Sequence, residues 1–297
     1  MQPTLYFKAQ FANDFSHVSG NLLKLCLNEG GHLLGWEHLS YLNRLSENKL
    51  SENMVTELSI PYVYLASSFF CQDHVFDNDS YNDLEILAPS VFLAAANNRF
   101  VNLSSNNAED IQVITDLLSE LMTNFADAML EEKRWMKDNN KGSAYNHVVG
   151  RSSLFLFGYK LVTYLKGEVL DENNLDVFKN FIYFMQCGDD LGDWREDFQA
   201  NKLTPTLAVA FEKLGSKNVT EEKLEEFIYL SGFYEMRCDY VIDGLNSIIG
   251  DVREIFGEGA VSLVGYIEMQ IERATAVQNQ FKNVKAGISI KNPPEFH

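Results

Sequence analysis

Apolar residues recur along this chain at helical spacing. From Glu109 onward, Ile111, Ile114, Leu117, Leu118, Leu121, Met122 and Phe125 form one stripe, the i, i+3, i+4, i+7 pattern of an amphipathic helix. Leu224, Phe227 and Ile228 open a second stripe that continues to Tyr234, and Val261, Val264, Ile267 and Ile271 make a third. Asn- and Gly-containing clusters punctuate these stretches: DNNKGS at 138–143, DENN at 171–174, LGSKN at 214–218 and FGEG at 256–259. Only six prolines occur, none between Pro89 and Pro205 and none between Pro205 and Pro293. Such long proline-free stretches suit helices, because proline removes a backbone donor and clashes with the preceding turn. Alternating patterns are few and short. The spacing predicts an all-α bundle of about ten or more helices. No Pro-, Gly- or Ser-rich linker divides the chain and no repeat of 20–50 residues appears. One domain over residues 1–297 is expected.

Two segments break the amphipathic pattern. SIPYVYLASSFFCQDHVFDND (59–79) and NFIYFMQCGDDLGDWREDFQANKLTPTL (180–207) each begin apolar all round, which implies burial, and then run into aspartates. Burial followed by several carboxylates is costly unless the charge is neutralised.

Composition narrows the functional classes. Hydrophobic residues make up 46% of the 297, far above what a disordered chain carries. With 42 acidic and 24 basic residues the formal net charge is −18, the wrong sign for a general nucleic-acid binder. No apolar run reaches the roughly 18–20 residues of a membrane-spanning helix. The start, MQPTLYFKAQ, lacks the basic-then-apolar layout of a signal peptide. Cys26, Cys71, Cys187 and Cys238 are widely spaced with no CxxC pair, so neither a cysteine zinc site nor a disulfide framework is expected. A cytoplasmic location with reduced thiols is the expectation.

The candidate chemistry lies in the carboxylates. Asp189, Asp193 and Asp197 stand at i, i+4 and i+8, which places them along nearly one helix face over about 12 Å. Asp190 completes a DDxxD string from Asp189. At 42 acidic residues in 297, about one such triad would arise by chance, so an exposed acidic helix end is the plain alternative. Context separates the two readings, because FIYFMQCG precedes the row and a second set, Asp73 and Asp77 with Asp79 beyond, follows YVYLASSFF. Hard oxygen ligands of this kind suit Mg²⁺, which commonly takes a substrate phosphate as a further ligand. An apolar, aromatic-walled pit beneath such a clamp fits a prenyl diphosphate.

These strings resemble known motifs. FMQCGDDLGDW is similar to the second aspartate-rich motif of trans-prenyl diphosphate synthases, FQxxDDxxD, with Met185 in place of Phe and Gln186, Asp189, Asp190 and Asp193 matching. QDHVFDND resembles the first motif, with His74 in place of its second Asp. GRSSLFLFG, with Arg151 35 residues before Gln186, is similar to the helix that reaches the diphosphate in that family. The Asp189, Asp193, Asp197 spacing resembles the metal triad of class I terpene synthases. DWREDF and YNHVVG are similar to segments of squalene and phytoene synthases. The resemblance covers about residues 28–207; the C-terminal third matches only in being helical.

The resemblance implies an isoprenoid-synthase-type helical bundle around a central apolar cavity, with three Mg²⁺ ions held by Asp73, Asp77, Asp189, Asp193 and Asp197. It assigns Arg151 to the diphosphate; Lys202, which follows the triad by one turn or more, is a second candidate by its position. Tyr64, Phe69, Phe70, Phe155, Tyr183 and Gln186 are the expected cavity wall, where aromatic faces stabilise an allylic cation. Cys71 and Cys187 read as small apolar wall residues, and His147 as a satisfied buried histidine. Dimers are common in this superfamily, so a homodimer is a further expectation. One departure bears on the reaction. Chain-elongating members carry a basic GGKxxRP motif that holds a second diphosphate; GGHLLG at 30–35 has His32 in place of the Lys and no following Arg. A terpene synthase is therefore expected. The alternatives are a prenyltransferase, joining the prenyl group to a second prenyl diphosphate or a small acceptor, and a non-catalytic subunit of a prenyl synthase.

Overall fold

The computed structural model describes residues 3–15, 20–28, 30–45, 48–77, 83–104, 107–138, 144–202 and 204–285. Asp79 lies outside them, as does the side chain of Asp77. The described residues form thirteen α-helices. These are α1 (Pro3–Asp14), α2 (Gly20–Lys24), α3 (His38–Asn43), α4 (Glu52–Asp77), α5 (Asp83–Leu103), α6 (Ala108–Asp138), α7 (Ala144–Arg151), α8 (Ser153–Leu165), α9 (Glu172–Gln199), α10 (Pro205–Leu214), α11 (Glu221–Leu230), α12 (Phe233–Phe256) and α13 (Val261–Lys285). The only extended pairing among them is an isolated bridge between Leu27 and Leu33. The all-α expectation holds.

Two compact units emerge from the packing, each built from two stretches of chain. The first takes Met1–Thr123 and Ser153–Leu170; the second takes Asn124–Ser152 and Asp171–His297. Helix α6 begins in the first and ends in the second.

The first unit is organised around α4, which packs along α5. Both helices contain a proline, Pro61 and Pro89, where proline-free stretches were the sequence signature of helix. Each proline leaves a carbonyl one turn back without its usual donor. Helix α4 nonetheless continues, because Leu58 to Leu65 are buried on every side and burial outweighs the local penalty. The Ser68 hydroxyl donates to the Pro89 carbonyl at 3.1 Å and ties the two helices together. Tyr64, expected in a cavity wall, is instead a core residue. It is fully buried among Phe7, Phe11, Phe15 and Phe92, and its hydroxyl donates to Asp14 Oδ2 at 2.7 Å. Asp14 in turn accepts from both Nε and a terminal nitrogen of Arg99, so the buried hydroxyl rests on a paired charge.

In the second unit α9 packs on α7, α10 and α12, and α12 lies along α13. The buried side of α9 includes Leu175, Phe178, Phe181, Ile182, Leu191 and Trp194. Trp194 is 2% exposed and donates its indole N–H to the Tyr229 hydroxyl at 3.0 Å. Helices α6 and α7 meet at Gly150. A Cβ there would lie 2.6 Å from the Ala128 Cβ and 3.0 Å from the Asn124 carbonyl oxygen.

That contact leaves no room for one carbon against backbone. Gly150→Ala should cost about 1–3 kcal/mol in a urea melt. Gly250→Ala, at an open position inside α12, should gain up to about 1 kcal/mol from helix propensity. Equal effects of the two substitutions would show that the α6–α7 contact is not close-packed.

Candidate active site

Helix α9 is set in place at both ends by local signals. Asp171 caps its start, accepting from the Asn173 N–H at 2.8 Å. Its end is a left-handed turn. Asn201 takes φ +53°, and the Lys202 N–H returns to the Asp197 carbonyl at 2.8 Å. Asn is among the few residues that enter this region readily, and the return bond satisfies a carbonyl that the helix end would strand. The turn brings Lys202 back beside Asp197. Thr204 and Pro205 then start α10, Thr204 as its N-cap and Pro205 in the first turn.

Along α9 the four aspartates differ in exposure. Asp189 and Asp193 are exposed, Asp197 is half-buried, and Asp190 is buried at 2%. Gln186 donates to Asp190 Oδ1 at 3.1 Å, while Asp190 Oδ2 is enclosed without a hydrogen-bond partner. Burial pushes the Asp190 carboxyl up to about 7, against the pull of Gln186 and Arg237. Asp189 is pushed up to about 6 by the protein crowding it and by Asp193, with Arg273 opposing. Asp197 rises to about 6 by burial, Lys202 and Arg151 opposing while Asp193 adds to the rise. Thus Arg151 and Lys202, both expected at the diphosphate, are electrostatic neighbours of Asp197. Arg237 on α12 and Arg273 on α13 were not singled out from the sequence; neither sits in a recognisable string.

Arg151 ends α7 and is held from below. Its NH1 donates to Glu132 Oε2 at 3.1 Å, and the Glu132 side chain is 4% exposed. His147, one turn earlier, sits with Nε2 3.8 Å from the same oxygen and Nδ1 3.1 Å from the Ala128 carbonyl. A carbonyl only accepts, so Nδ1 carries hydrogen. His147 is buried, as expected. Glu132 went unread in the run EEKR because its neighbours are all charged.

The remaining candidates lie on other elements of the two units. Tyr183 is half-buried among Tyr145, Phe184 and Tyr240, and the helix approach beside it is tight, since a Cβ on Gly244 would meet the Phe184 ring at 2.2 Å. In the first unit Asp73 is half-buried near the end of α4, and the adjacent His74 places Nδ1 3.3 Å from Glu85 Oε1. Phe69 is buried, Phe155 packs edge-on against His38, and Phe70, another expected wall residue, is 57% exposed. Buried Cys71 and Cys187 have thiols raised to about 11 and about 12 by burial, so both stay protonated. The loop carrying GGHLLG turns at Gly35, at φ +67°, where the Tyr62 ring lies 3.1 Å from a would-be Cβ. Beside it is a concavity of about 520 Å³ lined by His32, Leu33, Trp36, Glu37 and His38. No lysine or arginine is among the described residues lining it, and burial lowers the His38 pKa.

Among the described residues no three His, Cys, Asp or Glu side chains converge so as to hold a metal ion unaided. The α9 row still fits a hard cation. Its carboxylates repel one another, their charged forms are disfavoured, and one buried oxygen has no partner. A row stepping about 6 Å per turn offers one or two oxygens per ion and leaves other positions for a polyphosphate ligand.

The architecture has solved counterparts. No family model matches the chain, and no curated protein matches it in sequence. Among solved structures it is similar to the geranylgeranyl pyrophosphate synthase of Corynebacterium glutamicum, with a TM-score of 0.69 and 18% identity over 92% of each chain. It is similar to the geranylgeranyl pyrophosphate synthetase of the archaeon Geoglobus acetivorans, with a TM-score of 0.68 and 16% identity over 91% of this chain and 98% of that one. The octaprenyl pyrophosphate synthase of Helicobacter pylori follows, with a TM-score of 0.65 and 15% identity over 89% and 99%. The chain has the isoprenoid synthase fold. None of the described helices is long and apolar enough to cross a membrane.

The raised carboxyls bind protons more readily folded than unfolded. Between about 4 and 6 they therefore favour the folded state as pH falls, and this contribution is lost as pH rises through 6. In metal-free buffer Asp189→Asn should raise Tm above wild type, by more at pH 7.5 than at pH 5. Differential scanning fluorimetry at the two pH values checks this, and a lower Tm for the variant at pH 7.5 would contradict it.

Proposed function

We propose that this protein is a Mg²⁺-dependent class I terpene synthase that ionises a single prenyl diphosphate. The observation that carries the reading is the α9 row, with Arg151 and Lys202 flanking Asp197. It sets adjacent anionic and cationic groups on a fold shared with prenyl diphosphate synthases. Asp189, Asp193 and Asp197, with Asp73 and Asp77 of the first motif, would hold Mg²⁺. When bound, the metal supplies Lewis-acid stabilisation of the departing diphosphate.

The chain's own groups do the remaining work. Arg151 and Lys202 donate to the diphosphate oxygens and offset the charge that grows there as the carbon–oxygen bond breaks. Gln186 holds Asp190 and keeps the metal-facing side of α9 in register. The aromatic side chains of Phe69, Phe155 and Tyr183 offer ring faces to an allylic cation and keep water from it. With no lysine or arginine among the described residues lining the concavity at the GGHLLG loop, a second diphosphate has no fixed positive charge to bind in it. That favours a cyclase over a chain elongator.

A prenyltransferase acting on an acceptor without a diphosphate is the second reading. It draws on the same concavity, whose imidazoles, indole and carboxylate suit a neutral or cationic molecule. Separate incubation with geranyl, farnesyl, geranylgeranyl and geranylfarnesyl diphosphate plus Mg²⁺ decides between the two. The expected result is diphosphate release and a terpene product from one substrate alone. Asp189→Asn and Asp73→Asn should each lower kcat by about 100-fold or more. Turnover only when a second substrate is added would replace the cyclase with the transferase. No release under any condition, with no Mg²⁺-dependent thermal stabilisation by these diphosphates, would remove both.

A further inference from the structure

We propose that Glu132 is a positioning residue that fixes Arg151 for the diphosphate. The proposal rests on the reading of Arg151 as a diphosphate ligand. Two matched pairs carry it. On α6, Ala128 and Glu132 are one turn apart; on α7, His147 and Arg151 are one turn apart. The Ala128 carbonyl accepts from His147 Nδ1 and the Glu132 carboxylate accepts from Arg151 NH1, at 3.1 Å each. Gly150 lets the two helices touch at Ala128, one residue before Arg151.

The asymmetry of exposure argues for positioning beyond simple neutralisation. The Glu132 side chain is 4% exposed and the Arg151 side chain 23%. A carboxylate buried in a helix interface has one location, so the nitrogen it binds has one location too. The guanidinium is planar and its donors lie in a rigid fork, so fixing NH1 restricts the whole group. Its charge reaches Asp197 on α9, the far end of the metal row. His147 closes the other side of the Glu132 oxygen at 3.8 Å. A lysine could keep the charge but not the planar fork that spans a buried partner and an anion.

The test is a calorimetric titration of the full chain with inorganic pyrophosphate in saturating Mg²⁺, with Tm recorded for every variant. E132Q should weaken binding about tenfold, the usual cost of losing an outer partner of a ligand-holding group, and R151Q, which removes a charged hydrogen bond to the ligand, by about tenfold or more. In the R151Q background, adding E132Q should change Kd by no more than about twofold, because Glu132 then has nothing to position. Where E132Q fails to fold, E132D keeps the charge, withdraws it by one methylene, and should weaken binding in the same non-additive way. Wild-type Kd in a folded E132Q or E132D variant, or additive losses in the double variant, would overturn the proposal and leave Arg151 as a ligand. Unchanged Kd in R151Q, or no binding by wild type, would remove the ligand reading and the proposal with it.

Discussion

Like charges on one face of a helix whose other face is buried are the constraint on which the second unit turns. Helix α9 cannot relieve the repulsion among Asp189, Asp193 and Asp197 by rotating, because Leu191 and Trp194 hold its other side in the core. It cannot relieve it by unwinding at the end, because the turn at Asn201 is closed by the Lys202 return bond. Burial, with the charge of Asp193 adding to it, raises the Asp189 and Asp197 carboxyl pKa values. What offsets the rise is positive charge from outside the helix, supplied by Arg151, Lys202 and Arg273.

The basic partners reach the row by different means. Lys202 arrives through chain connectivity, three residues past the end of α9. Arg151 arrives through packing, since a glycine admits α7 close to α6 and a buried carboxylate holds its fork. Arg273 arrives from α13. Only the first of these is local, which explains why the sequence pointed to Lys202 by proximity and to Arg151 only through a motif.

What was legible in the sequence was whatever depended on short-range spacing. The helical periods, the i, i+4, i+8 aspartates and the similarity of FMQCGDDLGDW to a known string all lie within a few turns of chain. Pro61 and Pro89 stand inside helices because their cost is local while the burial that outweighs it is tertiary. Tyr64 was misplaced for a related reason. An aromatic before a metal motif looks the same whether it faces a cavity or, as here, an N-terminal helix carrying Phe7, Phe11 and Phe15. Glu132, Arg237 and Arg273 gave no signal because their roles come from partners 19, 47 and 84 residues away. The division into two units was equally silent, since neither changeover falls in a stretch that composition marks as a linker.

That division bears on the order in which the chain is made. Synthesis runs from the N-terminus, and domains tend to fold as their residues become available. The first unit is fully synthesised once Leu170 has appeared, whereas Asn124–Ser152 belongs with chain that follows Asp171. This stretch therefore emerges before its partners and must wait, with Glu132, His147 and Arg151 not yet enclosed. Its dense charge suits that interval, because a segment that is soluble while it waits does not offer a sticky surface to other nascent chains.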